Sequence, residues 1–320
     1  MATVATTRPG PFTRARHWGG GFRRRETWAA FAFLSPWLFG FVVFTAGPMI
    51  ASLVLSFTDY SVIQTTHNVG WANYHTLYHD PYVRTALRNT FIFTLLSVPA
   101  HVIVALALAA LLARVGRRVA GTFRTIFYLP VMTPGVAIGI LYLLIFNGSY
   151  GVLNAGIGLV GIQGPFWTTD PNWVKPGLVL MISVWGVGAS VVIFLAALVG
   201  VPRHLYEAAA IDGASKWRQF RDITLPMISP SIFFVVIINT IAGLQIFDQV
   251  YTAYNNASTP YGTDASLMYA IYIFQQAFTF FKFGYASALA WLLFLIIGVI
   301  TAIQIIVSRR FVYYEGQAKG

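Results

Sequence analysis

Six apolar segments, each long enough to cross a bilayer, dominate this 320-residue chain. A helix rises about 1.5 Å per residue, so about 20 apolar residues cross a hydrocarbon core about 30 Å thick. Residues 28–57, 91–113, 126–146, 178–201, 228–254 and 286–307 meet that length. Lipid offers no partner for open backbone groups, so such segments must be helices or a closed barrel, and runs this long read as helices. The expected fold is therefore all-α and integral to the membrane, with six transmembrane helices. Pro48, Pro99, Pro130 and Pro134 fall within or beside spans, which is tolerated where neighbouring helices satisfy the freed carbonyls.

Composition supports the same reading. Only 10% of residues are charged and 57% are hydrophobic, against about 25% charged in a soluble protein. Cysteine is absent, which excludes a disulfide framework and a thiolate metal site and leaves the redox compartment open. The net charge of +11 could point to nucleic acid. The basic residues instead fall between apolar runs, not along one soluble face, so no nucleic-acid partner is expected.

Those basic residues orient the chain. The first tail holds Arg8, Arg14, Arg16, Arg23, Arg24 and Arg25, and the second connection holds Arg114, Arg117, Arg118 and Arg124. The fourth connection holds Arg203, Lys216, Arg218 and Arg221, and the last tail holds Arg309, Arg310 and Lys319. That places 17 of the 21 basic residues on one side, with Arg84, Arg88, Lys175 and Lys282 on the other. Both termini are thus expected to be cytoplasmic. The chain divides into a basic, disordered cytoplasmic tail (1–27), a six-helix domain (28–310) and a short cytoplasmic C-terminal tail (311–320). Arg23–Arg24–Arg25 could hint at a twin-arginine signal, but the apolar run that follows exceeds the 7 to 15 residues or so of a signal core. It reads as a retained first helix. The opposite connections carry Asn, Tyr, Trp and Gly. Gly70–Trp71–Ala72–Asn73–Tyr74 and Gly164–Pro165–Phe166–Trp167 read as short interfacial elements, either an aromatic belt or a docking surface.

The loop 202–230 breaks the pattern, being cytoplasmic yet structured. Pro202 suits a helix start, and the run through Asp212 has good helix formers. Gly213 supplies a cheap positive φ, and Ser215 can cap a second short helix. In that helix Trp217, Phe220 and Ile223–Thr224 recur at helical spacing, with Leu225–Pro226 closing it and Pro230 opening the next span. Such a helix–Gly–helix elbow can be gripped by another protein or lie on the bilayer surface.

The same stretch resembles a known family. Glu207–Ala208–Ala209, three residues, Gly213, nine residues, then Ile223–Thr224–Leu225–Pro226 matches the EAA motif of binding-protein-dependent ABC import permeases at all seven fixed positions. Its surroundings are similar to the sugar and glycerol-phosphate group, as in the maltose importer's membrane subunits. Phe33–Leu34–Ser35–Pro36, Tyr128–Leu129–Pro130, Gly151–Val152–Leu153–Asn154 and Phe247–Asp248–Gln249–Val250–Tyr251 extend the likeness over most of residues 28–310. The resemblance implies one half of the pore of a sugar importer in a bacterial or archaeal cell membrane. It also implies a second permease subunit, two copies of a cytoplasmic ATPase and an extracytoplasmic sugar-binding protein. Glu207, Ala208, Ala209, Asp212, Gly213, Ile223, Leu225 and Pro226 would then form the coupling elbow. Glu207 would pair with a basic residue of the ATPase, Ala208 and Ala209 would permit close approach, and Gly213 would set the elbow's angle.

No Gly-x-x-x-x-Gly-Lys-Ser/Thr loop occurs, so ATP would be bound by partner subunits and no cofactor is expected here. In the fifth span Asn239, Gln245, Asp248, Gln249 and Tyr251 are candidates for the substrate path, since polar groups in hydrocarbon usually face a bundle interior or a water-filled route. Asn239 lies about 15 Å in from the cytoplasmic end and Asp248 about 30 Å in, at the outer interface. For Asn239 and Gln245 both pore lining and interhelical hydrogen bonding stay open. Ser183, Trp185 and Ser190 among Gly186 and Gly188 point to close helix packing, and His101 reads as a neutral, hydrogen-bonded histidine. An ion-driven carrier would need a relay of intramembrane ionisable groups, and the spans hold only Asp248 and His101. An intramembrane enzyme would need paired carboxylates, a metal cluster or a nucleophile elbow, and the spans carry none, so neither catalytic nor metal-ligating residues are assigned. A phosphate ester would favour arginine or lysine in the path, and no span interior carries either, which tilts the substrate toward a neutral sugar over a glycerol phosphate.

Overall fold

The computed structural model describes residues 20–61, 65–254 and 264–312. Residues 1–19 and 313–320, which hold most of the two expected tails, lie outside the described residues. Among the described residues the architecture is entirely helical, apart from one isolated bridge between Thr58 and Asn68. Its α-helices are α1 (Gly20–Phe41), α2 (Gly47–Leu55), α3 (Ala72–His79), α4 (Pro81–Leu112), α5 (Arg117–Tyr128), α6 (Gly135–Ile145), α7 (Val152–Gly158), α8 (Val174–Trp185), α9 (Val187–Gly200), α10 (Arg203–Ile211), α11 (Lys216–Gln219), α12 (Leu225–Leu244), α13 (Asp248–Tyr254), α14 (Tyr269–Phe274) and α15 (Phe283–Phe311).

The chain divides into two units, residues 1–54 and 55–320. In the first, a π turn at Val42–Ala46 joins α1 to α2. Pro48 has no N–H to donate, and the wider turn lets the preceding Gly47 N–H reach the Val42 carbonyl. The joined helix Glu26–Leu55 is 30 residues long and apolar enough to span a membrane.

In the second unit, Pro81–Leu112, Lys216–Tyr254 and Phe283–Arg310 are also long and apolar enough to span. Two further segments are bent. Arg118–Met132 and Gly135–Ile145 meet at 98°, and Val174–Trp185 and Val187–Gly200 meet at 53°. The described residues therefore carry four such helices, or up to six if each bent pair is one span. The third and fourth spans read from hydropathy are each broken in the middle. Pro134 forces Thr133 into an extended conformation, which ends the helical run, while the second bend falls at Gly186. The second helix also starts ten residues earlier than residue 91. Pro81 occupies its first turn and Asp80 caps it, its carboxylate accepting from the Tyr82 N–H at 2.9 Å.

Leu225–Pro226 does not close the short helix after Ser215. A π turn at Phe220–Thr224 carries the helix straight into α12, with the Leu225 N–H bonded to the Phe220 carbonyl. Pro226 sits in the first turn after that bulge, where a missing N–H costs little.

Two cores hold the second unit together. The larger gathers Phe93, Tyr142, Leu178, Tyr269 and Leu289 from α4, α6, α8, α14 and α15. The smaller gathers Ala105, Ala109, Val191, Phe194 and Val235 from α4, α9 and α12. Beside the smaller one, Gly188 meets the backbone of Phe127 so closely that a Cβ would overlap its carbonyl oxygen, which fits the packing role read from the glycines around Ser190. Hydrogen bonds supplement apolar packing in the larger core. The Asn89 amide donates to the carbonyls of Asp264 and Leu267, the latter at 3.1 Å. The Tyr269 N–H donates to Thr90 Oγ1 at 2.9 Å, so α4 satisfies the irregular backbone that leads into α14.

Candidate functional site

A cavity of about 380 Å³ opens between α4, α8, α12 and the turn into α13. Ser97 and His101 come from α4, Ser183 from α8 and Asn239 from α12. The helix breaks between Leu244 and Asp248, and that break turns Gln245, Asp248 and Gln249 toward the same space. Four of the five path candidates therefore converge. Tyr251 does not line the cavity. It packs in an aromatic cluster with Phe247 and Phe274, at centroid distances of 4.9 and 5.0 Å.

The polar atoms differ in what they already hold. Asn239 donates one amide hydrogen to the Val235 carbonyl of its own helix at 2.9 Å. His101 Nε2 pairs with Ser190 Oγ at 2.9 Å, in line with a hydrogen-bonded histidine. Ser183 Oγ is buried and has no hydrogen-bond partner among the described residues, so its hydroxyl is available to whatever occupies the cavity. Gln245 and Asp248 stand on the exposed side, and Gln249 is half-buried. Asp248 is the one carboxylate in the wall, and no lysine or arginine lines it. Such a surface can hydrogen-bond a hydroxyl-rich neutral molecule, and it repels an anion at its open side.

The sequence reading missed what seats these groups. At Gly135 a Cβ would fall 2.7 Å from the Asp248 Cβ, and at Gly139 one would fall 2.6 Å from the Gln249 carbonyl oxygen. The two glycines form a Gly-x-x-x-Gly step that lets α6 and α13 touch at backbone distance, and that spacing was the available signal. Ser97, His101 and Ser183 were equally hidden as path residues, since a small polar residue in a span usually serves packing.

The elbow lies elsewhere in the same unit. Pro202 stands just before the first residue of α10, Gly213 adopts φ +74°, and Ser215 Oγ accepts from the Arg218 N–H at 3.3 Å to start α11. The Tyr206 hydroxyl of α10 meets Thr224 Oγ1 in the π turn before α12 at 2.8 Å, and the Gln219 amide of α11 donates to the Ala214 carbonyl in the linker at 3.1 Å, which fixes the elbow's shape. Glu207, Ala208, Asp212, Gly213 and Pro226 are exposed, whereas Ala209, Ile223 and Leu225 are half-buried. Ile211 is 87% exposed and Trp217 68% exposed. The elbow thus presents apolar side chains beside Glu207. Asp222 is held by Arg221 at 2.7 Å and Arg218 at 3.6 Å, and neither Glu207 nor Asp212 forms an ion pair among the described residues.

Residues 102–313 match the family model described as binding-protein-dependent transport system inner membrane component. The probable ABC transporter permease protein YesP of Bacillus subtilis is 39% identical over 297 residues, which cover 92% of this chain and 94% of that protein. The lactose transport system permease protein LacF of Rhizobium radiobacter is 35% identical over 87% of this chain and 93% of its own length. Among solved structures, a bacterial alginate ABC transporter crystallised with its alginate pentasaccharide-bound periplasmic protein has a chain of the same fold. The TM-score is 0.77 at 24% identity, covering 92% of this chain and 98% of that one.

Proposed function

This chain belongs to the family of binding-protein-dependent transport system inner membrane components, and from that premise we propose that it forms half of the translocation path of an ATP-driven importer for a neutral sugar. The observation that carries the substrate reading is the cavity in which Asn239, Gln245, Asp248, Gln249 and the free hydroxyl of Ser183 converge with no lysine or arginine in the wall. Hydroxyl groups need donors and acceptors of this kind, and a phosphate ester would meet Asp248 without a cation to offset its charge. Relatives named for lactose, arabinooligosaccharides and multiple sugars point the same way.

Each bent pair counts as one span in this reading, making six, with both termini cytoplasmic in a bacterial or archaeal membrane. The exposed elbow of α10 and α11 seats in a groove of a cytoplasmic ATPase, with Glu207 as the charged contact and Ile211 and Trp217 adding apolar surface. The Tyr206–Thr224 hydrogen bond that ties α10 to the root of α12 lets ATPase closure move α12, whose Asn239 lines the cavity. A second permease chain supplies the other half of the path, two ATPase copies drive it, and an extracytoplasmic binding protein delivers the sugar.

Reconstitution tests this. The tagged chain should co-purify with an ATPase, a second permease and a sugar-binding protein, and the assembly in liposomes should take up a neutral sugar only with ATP. Asn239→Ala and Gln249→Ala should each lower uptake about tenfold while the folded assembly persists, the scale of a lost hydrogen-bonding pair in a desolvated site. A chain that purifies alone and moves solute without ATP would overturn the reading in favour of an ion-driven carrier.

A further inference from the structure

A second pocket, of about 300 Å³, lies where α4 and α9 end against the elbow. Its polar lining is built into the fold. Gln219 is 6% exposed and Thr224 is 5% exposed, and they are tied into the hydrogen bonds with Ala214 and Tyr206 described above. Arg114, from just beyond the end of α4, and Lys216, from the first turn of α11, share this pocket, and both are exposed. No carboxylate lines it, and neither cation forms an ion pair among the described residues. Of the elbow's acids, Asp222 is already held by Arg218 and Arg221, and Glu207 and Asp212 do not line the pocket.

Two unpaired cations beside one polar pocket repel each other, and an anion with several acceptor oxygens relieves that repulsion by accepting from both. Position narrows the anion. The apolar run of α4 stops at Leu112, two residues before Arg114, which is where a spanning helix meets the headgroup layer. We propose that this pocket binds a phosphate group, carried by an acidic phospholipid or free in solution, which bridges Arg114 to Lys216 and ties the end of α4 to the elbow. The bound group then sets how stiffly elbow movement is passed to α4. This site is separate from the sugar cavity and does not depend on what is transported.

The transporter, purified with its co-purifying subunits, is placed in nanodiscs of phosphatidylcholine with or without phosphatidylglycerol, and native mass spectrometry counts retained phosphatidylglycerol. Arg114→Gln/Lys216→Gln should hold the acidic lipid about 30-fold more weakly than the unmodified chain, while Arg114→Lys/Lys216→Arg keeps it. If instead inorganic phosphate binds the unmodified chain in phosphatidylcholine discs, and the Gln pair abolishes that binding, the free anion is the occupant and the site stands. Equal retention of phosphatidylglycerol and equal binding of phosphate by the unmodified chain and the Gln pair would overturn it. Loss of binding in the charge-conserving pair as well would also overturn it, because charge would not be the determinant. Monodispersity and the helical circular dichroism of each variant separate loss of the site from loss of the fold.

Discussion

The core around Tyr142 and the core around Phe194 belong to one unit but are built differently. The first interleaves apolar packing with hydrogen bonds. Tyr142 donates to the Trp167 carbonyl at 2.9 Å, Tyr269 donates to the Leu289 carbonyl at 3.1 Å, and Asp80 accepts from both Tyr272 and Tyr285, the latter at 2.7 Å. Burial and the neighbouring Asp80 carboxylate push the Tyr272 hydroxyl well above the usual phenol range, so it stays a donor. The second core is smaller and includes Ala105, Ala109, Val191 and Phe194, and it adjoins an elbow with exposed apolar residues. Irregular backbone, as in the segment leading into α14, needs side chains to satisfy it. Regular helices such as α4 and α9 satisfy their own backbone, so between them small residues and close contact carry most of the packing, with one side-chain hydrogen bond between His101 and Ser190. The network-bearing end is suited to hold still, and the end bearing the elbow is suited to present surface to other subunits.

Substitutions can break or sharpen that contrast. The largest effect should come from Gly188→Leu, since its side chain would collide with the Phe127 backbone beside the small core. Overpacking against an immovable carbonyl should cost more than about 3 kcal/mol, seen as loss of monodisperse protein in detergent. Asp80→Ala should cost about 3 kcal/mol, because it strips two tyrosine hydroxyls and a helix start of their shared acceptor. Thermal unfolding in detergent measures it, and a cost under 1 kcal/mol would mean the network is decorative. Ser215→Ala removes the cap of α11 and should cost about 1 kcal/mol, read by faster proteolysis within the elbow. Glu207→Lys lies at the exposed end and should leave unfolding unchanged while ATP hydrolysis no longer drives uptake. Normal uptake by that variant would remove the coupling role. Asp222→Ala, whose partners are exposed arginines, should alter neither stability nor uptake measurably.

The elbow is the most legible feature of the sequence. Gly213 and Ser215 act through backbone conformation and a local hydrogen bond, within a few residues of themselves, so their types announce their roles. The cavity was half legible. Asn239, Gln245, Asp248 and Gln249 stood out as polar residues in an apolar run, but Ser97, His101 and Ser183 reach the same space from other helices. Tyr251 had the same polar signature and packs against Phe247 and Phe274 instead, because two residues along α13 rotate by about 200° and carry it to the side away from Gln249. Pro134 and Gly186 were visible as residues, whereas bends of 98° and 53° depend on the helices packed around them.

By itself the sequence determined that this chain is helical and membrane-embedded, where the elbow begins and turns, and which polar residues interrupt the fifth apolar run. Those properties depend on hydrophobic length, backbone preference and nearest neighbours, all of them local. Tertiary structure alone decided that α4 and α8 contribute to the cavity wall, that Gly135 and Gly139 seat α13, and that Asp80 joins Tyr272 and Tyr285 across about 200 residues of chain. Each of these contacts lies between segments far apart in sequence, and it exists only once the helices have packed closely enough for one side chain to reach another's backbone or hydroxyl.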